Sequence, residues 1–206
     1  MIIKAKHNIL LDPFFRWYVI WKMKRSFHDC VIHSDIKDSG KPILLICNHS
    51  SWWDGIWALH LNQQLFGRKF HFMMLEEQLR KNWFFRYTGG FSIRKTSRSV
   101  VESLAYTAEL LSNNQNLVLM FPQGKIQSIH RSEFIFEKGI EKVLKLTQNN
   151  VDVVFQVNLT DYFSNAKPSV FLNATSYSGE QTRAAMQIAY NSYYRQCIGQ
   201  QKMKES

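Results

Sequence analysis

The chain has 206 residues, 45% of them hydrophobic and 14% aromatic, enough to bury one substantial core. With 26 lysines and arginines against 16 acids the net charge is +10, so the surface attracts anions, whether nucleic acid, anionic lipid or a phosphorylated substrate. Cys30, Cys47 and Cys197 are far apart, odd in number and without C-x-x-C spacing, which argues against a disulfide framework and a zinc site and fits a reducing cytoplasm.

Residues 9–27 (ILLDPFFRWYVIWKMKRSF) mix large aromatics with Arg16, Lys22, Lys24 and Arg25, and Pro13 stands where it opens a helix running to about Phe27. Trp17, Tyr18 and Trp21 among those cations suit a helix lying in a lipid headgroup layer, and equally a terminal helix packed on its own domain. No apolar run approaches the ~18 residues of a spanning helix. None has signal-peptide architecture, so any membrane contact is expected to be peripheral. Residues 1–35 are set apart as an N-terminal membrane-surface segment and residues 36–206 as a single globular domain. Within the latter, 42–47 reads as a buried strand, 51–61 as a helix, 69–75 as a strand, 76–86 as a helix and 91–94 as a brief strand after Gly89-Gly90. A helix over 99–111 places Val100, Leu104, Ala108 and Leu111 on one face, and 116–121 is a central strand ending at Pro122. A helix over 139–148, strands at 151–157 and 169–174, and a helix over 179–199 complete the pattern. Strands alternating with helices predict an α/β fold, a mixed, largely parallel sheet covered by helices, with active groups at the strand ends.

The segment Asn48-His49-Ser50-Ser51-Trp52-Trp53-Asp54 puts a histidine directly after a buried strand and an aspartate five positions on. Inside one helix such positions point about 140° apart, so the two meet only if His49 precedes the helix and Asp54 folds back. A carboxylate bonded to one ring nitrogen fixes the tautomer and raises the basicity of the other, which then takes a proton from an attacking hydroxyl. The bland reading is a structural histidine at a strand end.

Two further blocks follow, Gly89-Gly90-Phe91-Ser92-Ile93-Arg94-Lys95 and Phe121-Pro122-Gln123-Gly124, at gaps of about 40 and about 30 residues. Together with Asn48, His49 and Asp54 they resemble, over roughly residues 40–160, the glycerolipid acyltransferase family, marked by N-H-x-x-x-x-D, a glycine-led block ending in a basic residue, F-P-E-G and a final hydrophobic strand. The resemblance implies transfer of a fatty acyl group from acyl-CoA or acyl-ACP to a hydroxyl of a lysophospholipid or related lipid acceptor, with His49 as general base and Asp54 its partner. It implies substrate-binding roles for Arg94 or Lys95, either of which would hold a phosphate, and for Gln123, Gly124 and Lys125, with the backbone around Gly124 a candidate oxyanion donor. No acyl-enzyme serine is implied, no metal and no bound cofactor. Departures are specific: Gln123 replaces the usual glutamate, Lys125-Ile126-Gln127 replaces threonine-arginine, and Gln156 stands near the place of a proline often found in the last strand block. The altered third block leaves the acceptor open to lipids other than lysophosphatidate.

The stretch 80–98 carries six cations and no acid, interleaved with Trp83, Phe84, Phe85, Tyr87 and Phe91. That mixture suits an anionic-lipid surface. It also suits single-stranded nucleic acid, although no nucleic-acid motif is present and nucleic acid is not expected as a partner. The remaining histidines lack metal-ligand spacing, and His130, six residues past the third block, reads as a loop residue. The expected partners are a membrane lipid surface, the acyl carrier and a lysolipid, at the cytoplasmic face of the cell membrane. The rival functions are a noncatalytic membrane- or nucleic-acid-binding protein and an acyl thioesterase.

Overall fold

The structure is a computed structural model and describes residues 2–205. Its strands are β1 (Cys30–Ser34), β2 (Ile43–Cys47), β3 (Lys69–Leu75), β4 (Gly90–Ile93), β5 (Asn116–Met120), β6 (Asp152–Asp161) and β7 (Ser169–Tyr177). Its helices are α1 (Leu11–Ser26), α2 (Asp54–Leu65), α3 (Glu76–Lys81), α4 (Ser97–Leu110), α5 (Gly139–Leu146) and α6 (Arg183–Lys202), with a 3-10 segment at Trp83–Thr88. The strands form one seven-stranded sheet in the order β1-β7-β6-β2-β5-β3-β4. All neighbours are parallel except the β6–β7 hairpin. The expected mixed, largely parallel α/β sheet is what the chain forms.

β2 (ILLIC) is buried at every position because helices cover both faces of the sheet, which is why a parallel central strand reads as an unbroken apolar run. Its alternate residues divide the core. Leu44 and Ile46 join Leu104 of α4, Val143 of α5 and Tyr190 of α6 on one face. Ile43, Leu45 and Cys47 join Val19 and Met23 of α1 and Trp57 and Leu61 of α2 on the other. The period of two along a strand therefore decides which helix layer each side chain meets.

Several elements differ from expectation. β1 was not anticipated: CVIHS is only half-buried and ends in polar residues, so it carries little periodic signal, yet it pairs in parallel with β7 from Cys30↔Val170 to Ser34↔Ala174. The expected helix over 76–86 breaks at Asn82 and continues as the 3-10 segment, an arrangement that sets Phe85 edge-on to Phe15 and Phe72. β6 and β7 run on past the expected ends at 157 and 174, because the hairpin pairing continues from Val153↔Tyr177 to Asp161↔Ser169.

The N-terminal residues cover the exposed edge of the sheet. Ile3 exchanges backbone and side-chain hydrogen bonds with Ser92, Lys6 N–H donates to Arg86 O, and Asn8 N–H donates to Tyr87 O. An edge so covered offers no free ladder to another chain. Asn8 then starts α1, its side-chain oxygen accepting from the N–H groups of Leu10 and Leu11. Where this segment crosses the sheet, the His7 and His71 rings meet edge to face at 4.8 Å. Gly89, in the left-handed region at φ +101°, lies so close that a Cβ there would collide with the Phe70 carbonyl oxygen and crowd His7.

Two consequences are measurable. Gly89→Ala is expected to lose about 2–4 kcal/mol of stability in urea unfolding, since both backbone strain and collision act at one position. Burial holds His71 well below the ordinary histidine value of 6.5, at about 4. The unfolded chain binds this proton between those values and the folded chain does not, so stability is present above pH 6.5 and falls as pH drops toward 4. In His71→Phe that limb of a plot of melting temperature against pH should flatten; an unchanged limb would assign the titration to another group.

Candidate active site

His49 and Asp54 lie at the C-terminal ends of β2 and at the start of α2, the edge where open parallel sheets bind ligands. The chain leaves β2 at Cys47, turns through Ser51–Trp53 and enters α2 at Asp54. The turn brings Asp54 back onto the histidine as the five-residue spacing requires. Asp54 Oδ2 lies 3.0 Å from His49 Nδ1 and accepts from the N–H groups of Ser50 at 2.6 Å and Ser51 at 2.7 Å. Asp54 is fully buried and the His49 side chain keeps 22% exposure. An ionised carboxylate only accepts, so Nδ1 carries the hydrogen and the neutral ring leaves Nε2 as its acceptor.

Every other polar group of His49 is engaged. Its N–H donates to Gln123 Oε1 at 3.1 Å, and its carbonyl accepts from Gln127 N–H at 2.8 Å. Its ring stacks on Phe121, with centroids 3.9 Å apart and planes 9° from parallel. The third block thus sits on the first: β5 is the parallel neighbour of β2, and the Phe121-Pro122-Gln123 exit from β5 clamps the histidine from one side. α6 holds the loop that follows. Asn191 bonds both backbone groups of Phe134, Gln187 accepts from Phe136 N–H, and Tyr194 OH reaches Ile129 O.

The other expected binding residues occupy different positions. Gly124 adopts φ +66° and its N–H closes a turn onto Phe121 O, so that donor is already used. Lys125 and His130 are exposed on the loop. Arg94 and Lys95 follow β4, three strand spacings or roughly 14 Å across the sheet from β2, on the same edge as His49. Arg94 is held by Glu76, with Nε 2.6 Å from Oε2 and Nη2 2.9 Å from Oε1. Arg80 shares the same carboxylate at 2.9 Å. Arg94 beside it, then Arg80, hold the Glu76 carboxyl down at about 2. Lys95 is the exposed cation next in the chain.

The basic stretch 80–98 is therefore less free than its composition suggests, since Arg80 and Arg94 meet Glu76, Arg98 meets Glu102, and Arg86 donates to Lys4 O. Sequence reasoning missed a buried polar group behind the pair. Asn158 of β6 donates to Asp54 Oδ1, Gln156 donates to Asn158, and Tyr190 OH donates to Gln156 O at 2.8 Å. The available signal was the polar pair Gln156 and Asn158 inside an otherwise apolar strand.

A cavity of about 740 Å³ is lined by Lys41, Pro42, Asn113, Asn114 and Asn150 among others, where β2, β5 and β6 begin. That is the edge opposite His49, so this cavity does not serve the histidine. Beside the histidine, Trp52, Ile126 and Ile129 are exposed and Phe121 is half-buried. Among the described residues no helix is long and apolar enough to cross a membrane, and no three His, Cys, Asp or Glu side chains gather as metal ligands.

A search of curated proteins finds no significant match. The model of the family described as Acyltransferase matches residues 28–162, a span that runs from β1 to the end of β6 and includes His49, Asp54 and all three sequence blocks, and the chain belongs to that family.

Proposed function

We propose that the protein transfers a fatty acyl group from acyl-CoA or acyl-ACP to a hydroxyl of a lysophospholipid or related single-chain lipid, with His49 as general base oriented by Asp54. The observation that carries this reading is the His49–Asp54 contact of 3.0 Å, in a site where the histidine's backbone and Nδ1 are already bonded and Nε2 is left to act. Nε2 takes the proton of the acceptor hydroxyl as its oxygen attacks the thioester carbonyl. The tetrahedral intermediate then collapses with loss of the carrier thiolate, which recovers the proton from the imidazolium. An ester and a free thiol result, with no covalent enzyme intermediate.

Gln123 supports a donor role toward substrate oxygen. The His49 N–H occupies its Oε1, while its buried Nε2 has no partner among the described residues. A glutamate at that position would only accept. Since the Gly124 N–H is committed to its turn, the Gln123 amide is the better candidate for the oxyanion. Lys95 is favoured over Arg94 as the phosphate cation, because Glu76 already occupies the guanidinium of Arg94. Lys125 is an exposed cation placed to meet a headgroup.

A peripheral position at the cytoplasmic membrane face is supported by α1. Its inner stripe, Phe15, Val19 and Met23, packs on the domain, while Leu10, Phe14, Trp17 and Trp21 form a second apolar stripe facing solvent. Trp17 is 60% exposed, and Trp83 and Phe84 of the 3-10 segment extend the patch, Phe84 through its contact with Phe15. Exposed aromatics flanked by Lys22, Lys24, Arg25 and Lys81 are the composition of a helix lying in anionic headgroups.

With long-chain acyl-CoA and a panel of single-chain lipids, thiol release should require one acceptor class and should fall about 10³-fold in His49→Ala while the chain still unfolds cooperatively. Turnover retained by His49→Ala would overturn the assignment, and release independent of acceptor would indicate hydrolysis instead. Trp17→Ala combined with Trp21→Ala should weaken sedimentation with vesicles containing phosphatidylglycerol by about tenfold or more. Unchanged sedimentation would place the membrane contact elsewhere.

A further inference from the structure

The two oxygens of Asp54 have unequal surroundings. Oδ2 collects the His49 ring N–H and two backbone N–H groups, whereas Oδ1 meets one donor among the described residues, Asn158 Nδ2 at 3.2 Å. Three features of the sequence put that donor there. β6 is the parallel neighbour of β2, and Cys47 is in register with Gln156, so Asn158 lies two residues on, on the same face and beyond the end of β2. Past that end, the side chain of Asn48 takes over from the strand ladder. Its Oδ1 accepts from Asn158 N–H at 2.9 Å and its Nδ2 donates to Asn158 O at 3.2 Å. The backbone of Asn158 is thereby fixed. Its side chain is turned by Gln156, whose Nε2 donates to Asn158 Oδ1 at 2.7 Å.

With its oxygen so engaged, the Asn158 amide presents its two N–H groups to Asp54 Oδ1 and to Cys47 Sγ, each at 3.2 Å. The reversed amide would set oxygen against carboxylate and NH₂ against NH₂, so the orientation is determined by its neighbours. Burial pushes the Cys47 thiol well above its ordinary value, and the neighbouring Asp54 pushes in the same direction, so the thiol stays neutral and accepts this bond. Gln156 is fully buried and its own Oε1 has no partner among the described residues. Such a group costs stability that an apolar side chain of similar size would not, while its one side-chain bond goes to Asn158.

We infer that Asn158, oriented by Gln156, is a positioning residue of the reaction, a middle link of a buried hydrogen-bond chain that runs from Gln156 through Asn158 and Asp54 to His49. The inference rests on the proposed role of His49. Asn158 anchors the carboxylate oxygen that the histidine does not use. Without that anchor Oδ1 lacks a partner in a dry environment, and the carboxylate turns to share its other donors. The His49 ring then loses the fixed acceptor that keeps hydrogen on Nδ1 and leaves Nε2 free.

The test uses the full chain as Asn158→Ala, Gln156→Leu, His49→Ala and wild type. It reads ¹⁵N NMR of the neutral His49 ring, kcat and KM, and thermal melting. Asn158→Ala keeps both Asn48 bonds, which go to backbone. Gln156→Leu removes an unpaired carbonyl but leaves Asn158 Oδ1 without its donor, two effects of opposite sign, so it should still unfold cooperatively with a melting temperature close to that of wild type. The expected result is one tautomer in wild type, a mixture in both variants, and a fall of about tenfold in kcat with KM within about twofold, the low end of what losing the partner behind a metal-bound histidine costs. A wild-type tautomer and kcat in the folded variants would overturn the inference, and Gln156→Leu alone decides if Asn158→Ala does not fold. Turnover that survives His49→Ala overturns the reading of the site instead. The ring signature then still decides the hydrogen-bond chain, a mixed population supporting it and a single one overturning it.

Discussion

The turn from β2 into α2 is the constraint on which the site depends. His49 and Asp54 are five residues apart, a separation at which a continuous helix would point them away from each other. They meet because β2 ends at Cys47 and the helix begins only at Asp54. The turn's own backbone stabilises the arrangement, since the N–H groups of Ser50 and Ser51 close on the same carboxylate oxygen that holds the ring. One aspartate therefore completes the turn and orients the histidine. A histidine that had to hold itself in position would carry the entropy of its side-chain rotation. Here stacking on Phe121 and the Asp54 bond remove that freedom before any substrate arrives.

The fold brings the three sequence blocks together without making them equal. β2 and β5 are neighbours, so the first and third blocks touch: Gln123 accepts from the backbone of His49. β4 lies at the sheet edge beyond β3, so the second block shares the active edge but stands roughly 14 Å away. The charge available there is smaller than the sequence suggests, because the Glu76 carboxylate is paired with both Arg94 and Arg80. A paired arginine still contributes to the field, but an anion must compete with a carboxylate already in place.

Much of this was legible in the residues, for identifiable reasons. Buried parallel strands announce themselves as apolar runs, and β2, β3 and β5 were found that way. The histidine-aspartate pairing followed from spacing and a strand-to-helix turn. β1 was not legible, because a half-buried edge strand with a polar end has the composition of a loop and is recognised only by its partner β7. Nor was the pairing of the basic stretch, since Glu76 lies outside it in sequence and Glu102 follows it. Asn158 stayed hidden for the same kind of reason: its partners Asp54 and Cys47 are more than a hundred residues away, and only the register of β6 on β2 connects them.

The departures from the family pattern acquire a common physical sense in the structure. Gln123 and Gln156 stand where a glutamate and a proline are usual, and both are buried amides around the same histidine, one on its backbone and one behind its aspartate. An amide donates and accepts at once, which neither glutamate nor proline does. Gln123 can hold His49 through its oxygen while its nitrogen stays available as a donor, and Gln156 can set the direction of Asn158 without adding charge beside Asp54. A second carboxylate near Asp54 would repel it in a low-dielectric interior, and a proline would leave Asn158 free to turn. Replacing charge and rigidity with oriented amides keeps Asp54 the one carboxylate bonded to His49 among the described residues and shifts the burden of positioning onto hydrogen bonds whose direction the surrounding strands enforce.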